Sequence, residues 1–203
     1  MKNWFNSDTR IIFNVILALI VGIIFGKFLG NSMLRNEAIY ANATNYSDDI
    51  YILQSGVYYD ESTATIALDQ MKKLGLIGLV VKEHDNYYVY HGVSSNTESF
   101  TGMTQILEDN QINYLIKSKK LYYMLTDLDP SSDEYKFYYD SINYYTSLIH
   151  KTQVQIDDDY INRVNVINLE LYNNINILNN DLSSTSSPLY ELYIYKNLVD
   201  LLL

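Results

Sequence analysis

Hydrophobic residues follow three different patterns along the chain. After a short polar tail (1–10), an apolar run covers 11–30, and a polar stretch at 31–49 separates it from the rest. Residues 50–120 mix strand-like alternation with helix-like spacing, whereas 131–203 shows helical spacing throughout. The pattern predicts a cytoplasmic tail, a transmembrane helix, a tether, an α+β domain and a C-terminal helical region.

The apolar run is long enough to cross a membrane. Ile11 to Leu29 contains only Asn14 and Lys27 as strongly polar residues, and about 20 helical residues cover a hydrocarbon layer of roughly 30 Å. Its apolar residues surround the whole helix, unlike those of an amphipathic core helix. Ala41–Ala43 has the small-x-small form of a signal-peptide cleavage site, but it lies more than ten residues beyond the run. We therefore expect an uncleaved single span.

The charges beside this span do not fix its orientation. Lys2 and Arg10 precede it, while Lys27 lies near its end and Arg35 follows it. Because both sides carry positive charges, the positive-inside rule does not indicate which end faces the cytoplasm. A short N-terminal tail before a first helix usually stays inside. We expect a single-pass cell-membrane protein with an extracytoplasmic body.

Small residues form a ridge along the predicted span. They recur every four positions, at Ala18, Gly22, Gly26 and Gly30. Such a ridge lets two membrane helices approach closely, and it predicts a homodimer formed through the span.

The middle region reads as β-α-β-β-α-β. The predicted elements are a strand at Ile50–Tyr58, a helix from Asp60 to a stop at Gly75, strands at Leu76–Lys82 and Tyr87–Val93, a helix at Thr97–Asp109 and a strand at Asn113–Lys117. The two halves align at an offset of 36 residues, so that Gly56 meets Gly92 and Val57 meets Val93. This duplication predicts a ferredoxin-like (RNP-like) fold, a four-stranded antiparallel sheet with both helices on one face and the other face open.

The C-terminal region predicts a helical hairpin or bundle. Ser131 and Glu134 form a capping-box pattern. A second helix is expected after Asp157–Asp159, with Ile161, Val164, Ile167, Leu171, Ile175 and Leu178 pointing inward. Pro188 is expected to open a third helix.

Charge and composition exclude several functions. A net charge of -10 argues against nucleic acid as a partner. The chain has no cysteine, and its three histidines, His84, His91 and His150, show no metal-ligand spacing. Asp157–Asp159 fits a helix start better than a cation site. No phosphate loop or nucleophile elbow occurs, so we expect no catalytic residue, metal or cofactor, and no enzyme.

The middle region resembles the SPOR domain family. The similarity is carried by Leu53–Tyr58 (LQSGVY), by Ala64 and Leu68 in the first helix, by Leu74–Gly75, and by Tyr87–Gly92 (YYVYHG). The resemblance implies binding to peptidoglycan glycan strands stripped of stem peptides, through the open sheet face. It also implies a role in cell division or sporulation, with divisome or sporulation proteins as further partners.

The resemblance assigns four glycan-binding residues. Gln54 matches the family's strand-one glutamine, Val57 the small residue after the glycine, and Tyr88 and Tyr90 outward positions of the third strand. Tyr88 stands where the family often has Arg or Lys, so the basic contribution is expected to be lost. Alternation places Gln54, Tyr88 and Tyr90 together on the open face, where amides and tyrosine rings suit a neutral sugar chain.

Two alternatives stay open on the sequence alone. These tyrosines are also ordinary strand formers, so the domain could have kept the fold and changed its ligand. The chain could instead be a membrane scaffold whose helices and β-α-β-β-α-β domain bind proteins.

Overall fold

The element order β-α-β-β-α-β predicted for the middle region is confirmed in a computed structural model. The structure describes residues 49–182 and 187–203. The elements are β1 (Asp49–Tyr58), α1 (Glu61–Lys73), β2 (Leu79–Glu83), β3 (Asn86–Ser94), α2 (Thr101–Asp109), β4 (Leu115–Lys120), α3 (Asp133–Ile149), α4 (Asp158–Asn162), α5 (Leu169–Asn180) and α6 (Ser187–Leu202). Short 3₁₀ turns at Glu98–Phe100 and Leu121–Leu125 precede α2 and follow β4.

The four strands form one antiparallel sheet in the order β2-β3-β1-β4. Residues directly opposite each other in such a sheet share a face. Leu53 of β1 lies opposite Gly92 of β3 and Ile116 of β4. The pairing of β1 with β3 is irregular around Gln54, and a bulge of this kind increases the local twist.

Capping at both ends sets the length of α1. The Asp60 carboxylate accepts a hydrogen bond from Thr63 N at 2.8 Å, which satisfies a backbone donor of the first turn. At the other end Gly75 adopts a φ of 84°, a conformation that glycine adopts without strain. Leu76 N donates to Met71 O at 3.2 Å, so the helix ends in a Schellman motif.

The face of the sheet below α1 and α2 carries a conventional apolar core. Leu53 packs there with Phe100, Leu107 and Met71. A second cluster joins Val89 of β3 to apolar residues of α1, namely Ala64, Ala67 and Leu68. The prediction that both helices lie on one face, with Leu53 and Val89 toward them, is confirmed.

The C-terminal region departs from the prediction at two points. Ser132, rather than Ser131, caps α3 by accepting from Tyr135 N at 3.0 Å. The expected continuous second helix is broken after Asn162. Asn165 Oδ1 accepts from Ile167 N at 2.8 Å, and an asparagine turn of this kind competes with the helical ladder.

The break turns part of the predicted inward face outward. Ile161 is 41% exposed and Ile167 is 74% exposed, so the prediction that they point inward is wrong. The inward prediction is confirmed for Leu171, Ile175 and Leu178 of α5, which are all fully buried.

The final helix joins the helical region to the sheet. α6 packs on α5 and also on β2 and β3, and the residues from Asp49 onward belong to one compact unit. The predicted tail, span, Ala18–Gly30 ridge and tether lie outside the described residues. Within 49–182 and 187–203, no helix is both long and apolar enough to span a bilayer.

Candidate functional site

The sheet face opposite α1 and α2 carries the residues singled out from the sequence. Gln54 lies opposite Tyr90, and Val57 lies opposite Tyr88. The rings of Tyr88 and Tyr90 stack with their centroids 5.6 Å apart. Their expected position on one face is therefore confirmed, while their role in glycan binding stays a prediction.

The expectation that this face is open is wrong, because α6 covers it over β2 and β3. The ring of Tyr195 meets that of Tyr90 edge-on, with centroids 5.8 Å apart. Tyr90 is fully buried and Gln54 is 7% exposed. The face also carries apolar residues such as Ile52 and Val81, both fully buried. Burying apolar surface stabilises a protein by about 25 cal/mol per Å², so this face favours the docking of an apolar helix.

A buried carboxylate, Glu83, ties α6 to the sheet. Its Oε1 accepts hydrogen bonds from the Tyr90 and Tyr195 hydroxyls, both at 2.7 Å, and its Oε2 accepts from Lys119 Nζ at 2.6 Å. Burial raises the pKa of Glu83, but these hydrogen bonds together outweigh burial and leave the pKa below its ordinary value. Sequence reasoning missed this residue, although alternation from buried Val81 indicates that Glu83 points inward.

Part of the face stays accessible beside α6. We call this part the edge strip: Val57, Tyr88, Leu115 and Lys117 form its accessible surface, and Gln54, which is 7% exposed, is its buried member. Val57 is 47% exposed and Leu115 is 51% exposed, whereas Tyr88 and Lys117 are half-buried. Gln54 lies opposite Leu115 on β4, so the strip crosses β3, β1 and β4. Three of the four predicted glycan-binding residues, Gln54, Val57 and Tyr88, belong to it.

Lys117 brings a cation to the edge strip. Its Nζ lies 4.6 Å from the centroid of the Tyr88 ring, within the range of a cation–π interaction. Burial lowers the pKa of Lys117, and the charge of Lys119 lowers it further. The expectation that this face has lost its basic residue is thus corrected, since β4 supplies Lys117 to it. The sequence offers no local signal for this contact, because it depends on the register that places Lys117 opposite Ile52.

Gln54 carries an unsatisfied acceptor at the same site. Its Oε1 is buried and has no hydrogen-bond partner. Burying an amide oxygen without a partner costs about 1–3 kcal/mol, and such groups in proteins call for an explanation. The edge strip therefore combines an aromatic ring, a cation and an unused acceptor.

Both ring nitrogens of His91, beside the duplicated Gly92, bond to groups within the protein. His91 is fully buried. Its Nδ1 donates to Ile77 O at 2.7 Å, and its Nε2 lies 2.7 Å from Ser55 Oγ. Burial lowers the pKa of the imidazole, which matches a neutral ring that joins β3 to β1. Within the described residues, no group of three or more His, Asp or Glu side chains could hold a metal ion.

Comparisons with known proteins give one weak similarity. No family model and no curated protein sequence matches the chain. Among solved structures, the chain is similar to the solution structure of the peptidoglycan-binding domain of the B. subtilis cell wall lytic enzyme CwlC. The identity is 14% and the TM-score 0.34, over 37% of this chain and 96% of that chain. Similarity at this level carries no argument about function, so the function proposed below rests on the chain's own residues.

Proposed function

We propose that the chain is a membrane-anchored protein that binds the glycan strands of peptidoglycan through the edge strip. The observation that carries the proposal is the accessible pairing of Tyr88 with Lys117 beside Val57. The motif LQSGVY, which underlies the SPOR resemblance, supplies Gln54 and Val57 to the same strip.

The chemistry of the edge strip suits a sugar chain. Pyranose rings present flat C–H surfaces, and the Tyr88 ring and the Val57 side chain offer matching apolar area. Hydroxyl and acetamide groups need hydrogen-bonding partners, and the Lys117 ammonium is a donor for them. The strip crosses three neighbouring strands, about 10 Å at the usual strand spacing, so it has room for about two sugar rings.

The membrane setting of this proposal rests on the sequence. The apolar run at residues 11–30 would hold the body outside the cell, next to the wall. A role in cell division or sporulation rests on the SPOR resemblance alone. The absence of recognisable catalytic motifs supports a binding protein over an enzyme.

The direct test is co-sedimentation of the full-length chain with amidase-treated sacculi. A fragment ending at Lys120 is unsuitable, because loss of α6 would expose buried Tyr90. We expect the wild-type chain to pellet and Tyr88→Ala to lose most of its binding; for comparison, loss of an aromatic ring that stacks on a nucleic-acid base costs about 1–3 kcal/mol. The matched control is Tyr190→Ala, which removes a half-buried tyrosine from α6, outside the edge strip.

Because Tyr88→Ala could perturb the sheet, Val57→Glu gives a second variant. Val57 is nearly half exposed, so the substitution is expected to leave stability within about 0.5 kcal/mol while placing a carboxylate among the sugar contacts. Equal pelleting of wild type, Tyr88→Ala and Val57→Glu would refute the site. No pelleting of the wild type would refute the function.

A second candidate function is a non-enzymatic membrane scaffold. One observation favours it, an exposed apolar segment between α4 and α5, where Val166 is 92% exposed and Ile167 is 74% exposed. Nearby Ile161 and Leu169 are more than two-fifths exposed. Contiguous exposed apolar residues often mark protein interaction sites.

Site-specific photo-crosslinking in cells separates the two candidates. If the chain is a scaffold, a photoreactive residue at position 166 should give a discrete crosslinked protein. A photoreactive residue in place of exposed Lys136 on α3 serves as the control. Identical patterns at both positions would remove the support for a scaffold.

A further inference from the structure

A surface cavity lies between the start of α3 and the segment that joins α4 to α5. Its volume is about 420 Å³, within the range of about 300–1,000 Å³ that ligand pockets occupy. The lining combines two exposed carboxylates, two buried aromatic rings, a half-buried guanidinium and an exposed aliphatic side chain, namely Asp133, Glu134, Phe137, Tyr138, Arg163 and Ile167. None of these residues belongs to the edge strip.

Arg163 and Lys136 bring positive charges to this region, and both are paired with carboxylates. The Arg163 guanidinium contacts Asp140, and the ammonium of Lys136, which does not line the cavity, lies 3.4 Å from Asp133. Burial raises the pKa of Asp140 and the charge of Asp157 raises it further, although Arg163 lowers it. The two pairs therefore add no net positive charge to the cavity.

Glu134 leaves the cavity with a net negative charge. It forms no ion pair with any residue that the structure describes. Burial raises the pKa of Tyr138 and the charge of Glu134 raises it further, which places the carboxylate near a ring that lines the cavity. Glu134 lies in the first turn of α3, where the helix end contributes about half a positive charge. That partial charge offsets only part of the charge of the carboxylate, so the cavity attracts a cation.

An exposed apolar patch adjoins the cavity. Ile167, which lines the cavity, is 74% exposed, and its neighbour Val166 is 92% exposed. The asparagine turn fixes this segment, because Ile167 N donates to Asn165 Oδ1 at 2.8 Å and Asn165 N donates to Asn168 Oδ1 at 2.6 Å. A partner can cover a patch held in this way at a reduced cost in conformational entropy. A free small cation would fill the cavity and leave the patch uncovered.

We propose that this surface binds a segment of a partner protein in which a Lys or Arg enters the cavity and an adjacent apolar residue covers Val166 and Ile167. The cationic group would donate to Glu134, and the aliphatic stem of the same side chain would lie along Phe137 and Tyr138. A second copy of the chain would bring its own charge of -10 to an already negative surface, and an anionic membrane is repelled in the same way. The inference goes beyond glycan binding, names the kind of partner that a scaffold would hold, and is independent of the edge strip.

The test selects random heptapeptides displayed on phage for binding to the full-length chain in detergent. Peptides that also bind the double variant Val166→Ser, Ile167→Ser are removed, which leaves peptides that need the apolar patch without any selection for charge. We expect the remaining peptides to be enriched in Lys or Arg next to an aliphatic or aromatic residue. A synthetic copy of the leading peptide should bind Glu134→Lys about tenfold more weakly than wild type, the size of one charge-assisted hydrogen bond.

The matched control is Glu61→Lys, because Glu61 is likewise an exposed acidic residue in the first turn of a helix, α1. It should bind the peptide as wild type does. Exchanging the basic residue of the peptide for Glu should abolish binding to wild type and restore binding to Glu134→Lys. A variant that had simply misfolded would not show this recovery.

The opposite results would overturn the proposal. Selected peptides without a basic residue, or no selected peptides, would remove the partner class. Equal weakening by Glu134→Lys and Glu61→Lys would remove the assignment to the cavity. Self-association of wild type that is lost in the double variant, measured by sedimentation velocity, would show that a second copy covers the patch instead. Glycan binding is decided separately by pelleting with sacculi, so neither proposal can fail through the other.

Discussion

Removing one hydroxyl from α6 tests how the helix is held on the sheet. Tyr195→Phe deletes the hydrogen bond to Glu83 Oε1, 2.7 Å long in the wild type, and keeps the ring that contacts Tyr90 edge-on. Glu83 retains its bonds from Tyr90 and Lys119. The substitution therefore removes one charge-assisted hydrogen bond with little change in packing.

The expected cost follows from that single bond. Hydrogen bonds to charged groups contribute about 1.5–3 kcal/mol. For a protein of this size, 1 kcal/mol shifts the unfolding midpoint by about 2–4 °C, so Tyr195→Phe should lower the midpoint by roughly 3–12 °C. Tyr190→Phe on the same helix is the control, because Tyr190 is only half-buried and its contact is with the ring of Tyr193. We expect it to stay within about 0.5 kcal/mol of wild type.

The effect should also depend on pH with a defined sign. The folded pKa of Glu83 lies below its ordinary value. Stability from the ionised carboxylate is therefore fully present above the unfolded pKa, roughly 4.3, and is lost as pH falls through the folded pKa. The gap between wild type and Tyr195→Phe should be largest near neutral pH and shrink in acid.

Thermal unfolding of the full-length chain, followed by tyrosine circular dichroism at several pH values, measures both effects. A midpoint equal to that of Tyr190→Phe at neutral pH would refute the role of the Glu83 cluster in holding α6. A gap that widens in acid would contradict the direction of the Glu83 pKa.

Three glycine substitutions give further predictions, each checked by the same unfolding measurement. Gly78→Ala should destabilise by about 1–3 kcal/mol, because its Cβ would lie 2.6 Å from Tyr90 O; an unchanged midpoint would contradict that close approach. Gly75→Ala should cost about 1–2 kcal/mol, entirely from its φ of 84°, since nothing lies within 4 Å of the added Cβ. Gly102→Ala, inside α2 with equally open space, should instead stabilise by up to about 1 kcal/mol, and a loss of stability there would show a contact that the structure lacks.

The local signals in the middle region were sufficient to predict its fold. The Asp60 cap, the Gly75 stop and strand alternation in residues 50–58 and 87–93 are set by neighbours in sequence, and the structure follows them. The shared face of Tyr88 and Tyr90 likewise follows from a period of two residues. These features are predictable because they need no knowledge of distant contacts.

The cover on the sheet face was not predictable in the same way. It depends on Tyr195 reaching Glu83 across 112 positions of sequence, and no local pattern reports such a pairing. The same limit applies to Lys117, because its contact with Tyr88 depends on how β3, β1 and β4 are arranged side by side. The predicted residues thus lie on the expected face of the sheet, but α6 covers Tyr90 there and Gln54 is buried as well.

The most direct measurement of the central claim is amide chemical-shift mapping of the isotope-labelled chain during titration with peptide-free glycan strands. We predict saturable shifts at Val57, Tyr88 and Lys117, on three neighbouring strands, with little change at Val166 and Ile167. Shifts confined to the segment between α4 and α5, or no shifts at saturating strand concentration, would contradict glycan binding at the edge strip.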